Sequence, residues 1–272
     1  MPYVLAPRGM LVSDLIRRRS NLAKRAWLAL VGARDIAGAA ALHVTSEREA
    51  SDFAQLGLAA RRLVVLPNGV GQCDDLPTSS AGEAQKINRP YVLYLGRISW
   101  KKGLDRLIRA VPFVADADVV VAGYDEDGYQ NVVERIAEEC GVCQRVRFLG
   151  PVHGSRKQSL LRHASCLVLP SYNENFGMVV VEAMAVGCPV VVTAEVGLAD
   201  VVAKTQSGVV APGDPAGLAA AVNFVISDPV KAHAMGEAGR QTVADSFGWS
   251  AIASRMVELY ADCKKSAGDG SA

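Results

Sequence analysis

The segment Pro170-Ser171-Tyr172-Asn173-Glu174-Asn175-Phe176-Gly177-Met178-Val179-Val180-Val181-Glu182 sets two carboxylates around a glycine, with seven residues between Glu174 and Glu182. A carboxylate accepts both hydrogen bonds of a vicinal diol, so two of them suit a ligand with two diols, one on a ribose and one on a sugar. Between them the pattern opens a helix. The backbone N–H groups of Phe176, Gly177 and Met178 at that opening form a natural seat for a phosphate. The plainer reading of Glu182 is an exposed helical acid. Its apolar neighbours Val179, Val180, Val181, Ala183, Met184 and Ala185 argue instead for a ligand or a buried ionic partner. Glu174 taken alone reads equally well as an ordinary loop acid.

A second signal is Leu95-Gly96-Arg97-Ile98-Ser99-Trp100-Lys101-Lys102-Gly103-Leu104. Arg97 follows an apolar run and Lys102 precedes a helical pattern. Together they suit a pyrophosphate, Arg through its fork of donors and Lys as a point charge. Two solvated surface cations are the plainer alternative. Trp100 either shields that site or packs at the loop.

The elements that must position these groups alternate. Tyr91 to Leu95, Asp118 to Ala122, Val146 to Leu149, Cys166 to Leu169, Pro189 to Thr193 and Gly208 to Val210 read as strands, apolar along most of their length. Helices are expected from Leu104 onward, over Tyr129 to Cys140, Ser155 to His163, Gly177 to Val186, Leu198 to Val202, and from Pro215. Strands that do not alternate in polarity, separated by helices, mean a parallel sheet covered on both faces, with ligands at the strand carboxyl ends. The first 70 or so residues repeat this grammar in short form, with strands at Tyr3 to Leu5, Leu42 to Thr45 and Leu63 to Leu66. A helix is expected over about Asn21 to Ala39, and a capping box, Ser46 with Glu49, starts another. Gly71 to Lys86 reads as a linker. The expected division is 1–75, a partial N-terminal domain; 76–246, a complete doubly wound domain; and 247–272, a closing helix with a polar tail from Ser266 that is expected to be disordered.

Composition narrows the functional classes. The chain has 272 residues, half of them apolar, a net charge of +1 and a pI near 7.6, with nothing that demands nucleic acid. Arg17, Arg18, Arg19, Lys24 and Arg25 cluster near the start; they read as a solvated helix face or as contact with anionic lipid or a phosphorylated acceptor. The opening residues lack the pattern of a secretory signal, and the expected place is the cytoplasm, with the basic cluster allowing peripheral contact at the inner face of the membrane. Cys140-Gly141-Val142-Cys143 has redox or half-zinc spacing, but no second pair completes a metal site, so both cysteines read as packing residues around a turn. His43, His153, His163 and His233 are scattered. No G-x-G-x-x-G or G-x-x-x-x-G-K-[ST] follows any strand, which disfavours nicotinamide enzymes and P-loop NTPases.

With Leu66-Pro67-Asn68-Gly69-Val70, Val121-Ala122-Gly123, Val146-Arg147-Phe148-Leu149-Gly150, Gly187-Cys188-Pro189-Val190-Val191 and Gly208 to Asp214, these motifs make the chain similar to the GT-B glycosyltransferases called group 1, family GT4. The resemblance implies an α/β GT-B-like fold and a metal-independent, retaining transfer of a hexose from a nucleoside diphosphate sugar to a glycan or lipid-linked acceptor. It implies that Gly96, Arg97 and Lys102 bind the diphosphate, and that the segment Phe148, Leu149 to Val152 helps to form the base pocket. Glu174, Asn175, Phe176, Gly177 and Met178 would meet the sugar and phosphates, and Glu182 the ribose. Arg97, Lys102 and Glu174 would act in catalysis. Arg8, in Pro7-Arg8-Gly9, stands where many relatives carry a histidine near the reacting sugar; the alternatives are a catalytic contact and a structural arginine. Relatives have a longer N-terminal domain, so a further copy or a partner chain is expected to complete this one. A non-catalytic nucleotide-sugar-binding subunit or an inactive truncated enzyme is the alternative, and a sugar-nucleotide epimerase of the same fold fits the Glu174 and Glu182 pattern less well.

Overall fold

The computed structural model describes residues 2–11, 32–71, 87 and 89–268. The basic cluster Arg17, Arg18, Arg19, Lys24 and Arg25, the first part of the helix expected from Asn21, and nearly all of the expected linker lie outside the described residues. By its contacts the chain divides into two compact units, Met1–Gly69 with Phe247–Ala272, and Val70–Ser246.

The larger unit is built on β4 (Tyr91–Leu95), β5 (Asp118–Ala122), β6 (Val146–Phe148), β7 (Cys166–Leu169), β8 (Val190–Thr193) and β9 (Gly208–Ala211). All pairs are parallel, in the order β6-β5-β4-β7-β8-β9. The helices between and after them are α3 (Leu104–Ala110), α4 (Tyr129–Glu139), α5 (Gly154–His163), α6 (Met178–Ala185), α7 (Ala199–Thr205), α8 (Pro215–Ile226) and α9 (Pro229–Ser246). β7 and β8 are buried along their whole length, as expected of strands covered on both faces. The one charged residue of β5, Asp118, meets Arg89 at 3.2 Å. A core from both α3 and α8 covers the sheet, including Leu104, Leu107, Ile108, Leu218 and Val222. Arg145 closes the end of the α3 segment by donating to the carbonyls of Val111, Val114 and Ala117.

This strand order reverses between β4 and β7, so chain leaves those two neighbours toward opposite sides and a crevice opens beyond their carboxyl ends. Two close backbone approaches shape its rim. Past β4 and β5 the pairing continues as Ile98 N–H to the Tyr124 carbonyl (2.9 Å) and Glu126 N–H to the Ile98 carbonyl (3.0 Å). Gly123 permits this, because a Cβ there would collide with the Gly96 carbonyl. Across the reversal, Tyr172 N–H donates to the Lys101 carbonyl (2.8 Å), and Gly103, at φ 66°, turns the chain where a Cβ would strike the Pro170 carbonyl.

The smaller unit has a three-stranded parallel sheet, β1 (Val4–Leu5), β2 (Ala41–Val44) and β3 (Leu63–Val65), in that order. α1 (Ala33–Gly38), α2 (Glu47–Ala54) and α10 (Trp249–Gly268) belong to it. The Ser46 hydroxyl caps α2 by accepting from Glu49 N–H, as the capping box predicts. The buried Glu49 carboxylate also accepts from Thr45 N–H, the Thr45 hydroxyl and Gly9 N–H. Leu259 and Cys263 of α10 share a core with Ala41 and Leu66, and Arg62 pairs with Asp262. α10 is described as far as Gly268, and the rest of the tail expected to be disordered lies outside the described residues. Cys140 packs against the main core at the end of α4, but Cys143 is exposed, which corrects the expectation that both are packing residues.

Candidate functional site

Lys102 ends a short 3-10 turn (Trp100–Lys102) that leads into α3, and its ammonium pairs with the Glu174 carboxylate of the β7–α6 loop. The two are 72 positions apart in sequence, and they meet because β4 and β7 are neighbours at the reversal. Both side chains are shielded, at 18 % and 17 % exposure. The Glu174 backbone is strapped to the segment after β8: its N–H donates to the Glu195 carbonyl (3.1 Å), and its carbonyl accepts from Gly197 (2.8 Å).

Arg97 donates from Nη1 to Glu126 Oε1 at 2.6 Å, an open pair at 48 % and 36 % exposure. The continued β4–β5 pairing described above delivers Glu126 to it. The loop carbonyl of Arg97 accepts from the fully buried Tyr94 hydroxyl (2.6 Å). Burial first, and then the Glu174 charge, push the Tyr94 phenol above its ordinary range, so it remains a neutral donor. Gly96 connects β4 to this loop.

Glu182 lies on α6, whose Val180, Val181, Ala183 and Met184 are fully buried. A run of three valines is a poor helix former on its own, so burial of this face carries the helix. Gly177, with positive φ, precedes its first residue, and no side chain caps that end. Glu182 Oε1 pairs with Lys157 Nζ of α5 at 2.8 Å, at 25 % and 28 % exposure respectively. The sequence pattern demanded a partner for this carboxylate, and Lys157 is one. Phe148 and Leu149 are half-buried at the end of β6, while Val152 is buried just before α5. Phe176 is buried, Met178 is exposed at the head of α6, and Asn175 lies beside Glu174 in the loop. Trp100 is exposed, with Lys101 Nζ 5.9 Å from its ring centroid.

Next to this rim, the Arg106 guanidinium stacks on the Tyr172 ring, 3.6 Å from its centroid, and the Tyr172 hydroxyl donates to Asp105 (2.8 Å). Burial and that hydrogen bond raise the Tyr172 pKa. The stack braces the loop that carries Glu174.

Arg8 belongs to the smaller unit. It sits in a turn with φ 49°, closed by Met10 N–H on the Pro7 carbonyl (3.0 Å), and its guanidinium donates to Asn68 Oδ1. The motifs Pro7-Arg8-Gly9 and Pro67-Asn68-Gly69 thus meet, with Glu49 holding the Gly9 amide at 2.6 Å.

The structure therefore brings Lys102 to Glu174 directly, and seats Arg97 and Glu182 on other partners, Glu126 and Lys157. Those two partners escaped sequence reasoning. Glu126 lies in a polar turn, Tyr124 to Gly128, with no chemical pattern of its own; the adjacency of consecutive parallel strands was the signal that could have found it. For Lys157, on an amphipathic helix, no signal short of the tertiary structure that brings its ammonium to Glu182 exists. Among the described residues no group of three His, Cys, Asp or Glu side chains is placed to hold a metal ion, and no helix is long and apolar enough to cross a membrane.

The sequence profile described as "Glycosyl transferases group 1" matches residues 77–242, and "Glycosyl transferase 4-like domain" matches residues 1–69. Glycogen synthase of Mycobacterium tuberculosis (strain H37Rv) is 33% identical over 208 residues, covering 75% of this chain and 49% of that protein. D-inositol 3-phosphate glycosyltransferase of Xylanimonas cellulosilytica is 31% identical over 245 residues, covering 85% and 58% respectively. The chain thus spans about half the length of the curated relatives it matches. Among solved structures, sucrose-phosphate synthase from Thermosynechococcus elongatus superposes with a TM-score of 0.85 at 26% identity, over 98% of this chain and 69% of that one. The Anabaena protein HepE in complex with UDP-glucose superposes with a TM-score of 0.83 at 23% identity, over 96% and 72%. The fold is α/β, of the GT-B class.

Proposed function

The chain belongs to the group 1 glycosyltransferase family, and on that premise we propose that it carries the donor site of a retaining hexosyltransferase that uses a nucleoside diphosphate sugar. The acceptor in this reading is a glycan or lipid-linked glycan. The observation that carries the proposal is the Lys102–Glu174 contact at the sheet reversal, with Arg97 on the same β4–α3 loop.

In this reading the bond from the anomeric carbon to the phosphate oxygen breaks, and an acceptor hydroxyl oxygen replaces it on the same face, giving its proton to the departing diphosphate oxygen. The diphosphate departs with increased negative charge. Lys102, Arg97 and the uncapped start of α6 stabilise that charge without reorganising, and a donor of this type is worth about 3 kcal/mol in comparable sites. These charges let the reaction proceed without a metal. Glu174 accepts from the donor sugar hydroxyls and Glu182 from the ribose. Phe148, Leu149 and Val152 line the base. The protein works in the cytoplasm, at the inner membrane face when the acceptor is lipid-linked.

A thermal-shift panel of UDP, GDP and ADP with their hexose conjugates tests this. The matching donor, at 100 times its dissociation constant, adds about 2.7 kcal/mol. Glu182→Ala and Arg97→Ala remove most of that gain. No stabilisation by any member of the panel refutes the donor site. Binding with neither transfer nor donor hydrolysis leaves a non-catalytic nucleotide-sugar-binding subunit, and inversion at the anomeric carbon of the product refutes retention.

A further inference from the structure

Glu182 is held at one oxygen only. Lys157 engages Oε1, and among the described residues Oε2 has no hydrogen-bond partner. Both side chains remain about a quarter exposed, so a ligand can reach the pair. A carboxylate has capacity for about four hydrogen bonds, and an ammonium carries three donors, so one contact leaves both groups able to bind more. A free glutamate must also freeze its rotatable bonds on binding, and an anchored one has already done so.

We propose that Lys157 is a positioning residue that pins Glu182 Oε1 and leaves Oε2 to accept from a ribose diol, and so sets a preference for ribonucleotides over 2′-deoxynucleotides. The proposal rests on the donor-site reading above. It differs from a plain ion pair between α5 and α6, which would stabilise the unit without distinguishing sugars. It also differs from competition, in which Lys157 would have to leave before the ribose could bind.

Calorimetric titration of the full chain separates these cases. The ligands are whichever of UDP, GDP and ADP binds best, and its 2′-deoxy counterpart. The unmodified protein favours the ribonucleotide by about ten-fold or more, the worth of a hydrogen bond to a charged group. Lys157→Met cuts that ratio to about three-fold or less by weakening the ribonucleotide more than its 2′-deoxy counterpart; loss of the nearby positive charge acts on both ligands equally and cancels from the ratio. Lys157→Arg keeps most of the preference. Glu182→Gln abolishes it, and adding Lys157→Met to that variant changes the ratio no further. Lys157→Gln, which keeps the stem and a donor, is measured beside Lys157→Met with thermal midpoints for all variants, so that a misfolded protein is not scored. An unchanged ratio in folded Lys157→Met overturns the proposal, as does tighter ribonucleotide binding by that variant, while leaving the donor site in place. An unmodified protein that binds no nucleoside diphosphate overturns both.

Discussion

Removing either member of the Lys102–Glu174 pair strands the other in a shielded position. Lys102→Met leaves a carboxylate that is 17 % exposed, and Glu174→Gln leaves an ammonium that is 18 % exposed. At an effective dielectric constant of about 20, unit charges about 4 Å apart attract by roughly 4 kcal/mol. Desolvation and side-chain ordering offset most of that. Exposed pairs are worth about 0.2–1 kcal/mol, and loss of one partner from a fully buried pair costs about 3–5 kcal/mol. This pair lies between, so each single substitution should destabilise the unit Val70–Ser246 by about 1–3 kcal/mol. The double variant should fall short of the sum by about 1–2 kcal/mol, since the second change removes a charge already stranded. Urea denaturation of the ligand-free protein, at about 0.05 M and 0.5 M salt, measures the cycle. The coupling should survive in high salt, because the pair is shielded from mobile ions. Additivity of the two single changes within about 0.5 kcal/mol, or a coupling that vanishes with salt, refutes the reasoning that Lys102 and Glu174 act as one shielded unit at the sheet reversal.

Three further outcomes are expected. Glu126→Gln, which releases Arg97 from its open pair, changes stability by less than about 1 kcal/mol. It tightens nucleoside diphosphate binding about two- to five-fold in calorimetry, whereas Arg97→Ala weakens it about ten-fold or more; weaker binding by Glu126→Gln would contradict the role given to Arg97. Gly103→Ala forces a left-handed conformation worth about 1–2 kcal/mol and drives Cβ into the Pro170 carbonyl, which adds about 1–3 kcal/mol of overpacking. Its thermal midpoint should fall by about 4–20 °C, at about 2–4 °C per kcal/mol for a unit of this size, and nucleotide affinity should fall with it. Finally, burial holds Cys188 at about 12 against an ordinary 9.0, holds Tyr129 at about 12 against an ordinary 10.0, and raises Tyr91 and Tyr94 as well. These groups ionise more readily in the unfolded chain. Their stabilisation is complete below the unfolded values and is lost as pH rises through the folded ones. Urea midpoints should therefore decline from about pH 9 through pH 12, and Tyr94→Phe should show a shallower decline; equal slopes would refute its part in that linkage.

The architecture was legible because burial leaves a plain mark on composition. β7 is an apolar run, β5 and β8 are apolar but for Asp118 and Thr193 at their ends, and β4, β5 and β7 lie where the pattern puts them, since a strand covered on both faces holds a polar side chain only where it finds a partner, as Asp118 does in Arg89 and Thr193 in the Ser171 carbonyl. α6 was legible despite its valines, because Gly177 and the apolar stretch after it mark a buried helix. The exposure of Cys143 was not, since turn residues answer to local packing that composition records weakly.

By itself the sequence determined the family, the parallel α/β plan, and which carboxylates and cations stand in strand-to-helix loops. Only the tertiary structure decided the partners of each charge. Lys102 reaches Glu174 because β4 lies beside β7, Arg97 is taken by Glu126 because β4 also lies beside β5, and Lys157 of α5 comes within 2.8 Å of Glu182 on α6. Charge attracts whatever the fold brings within reach, and strand order, set by the whole sheet, decides which residues those are.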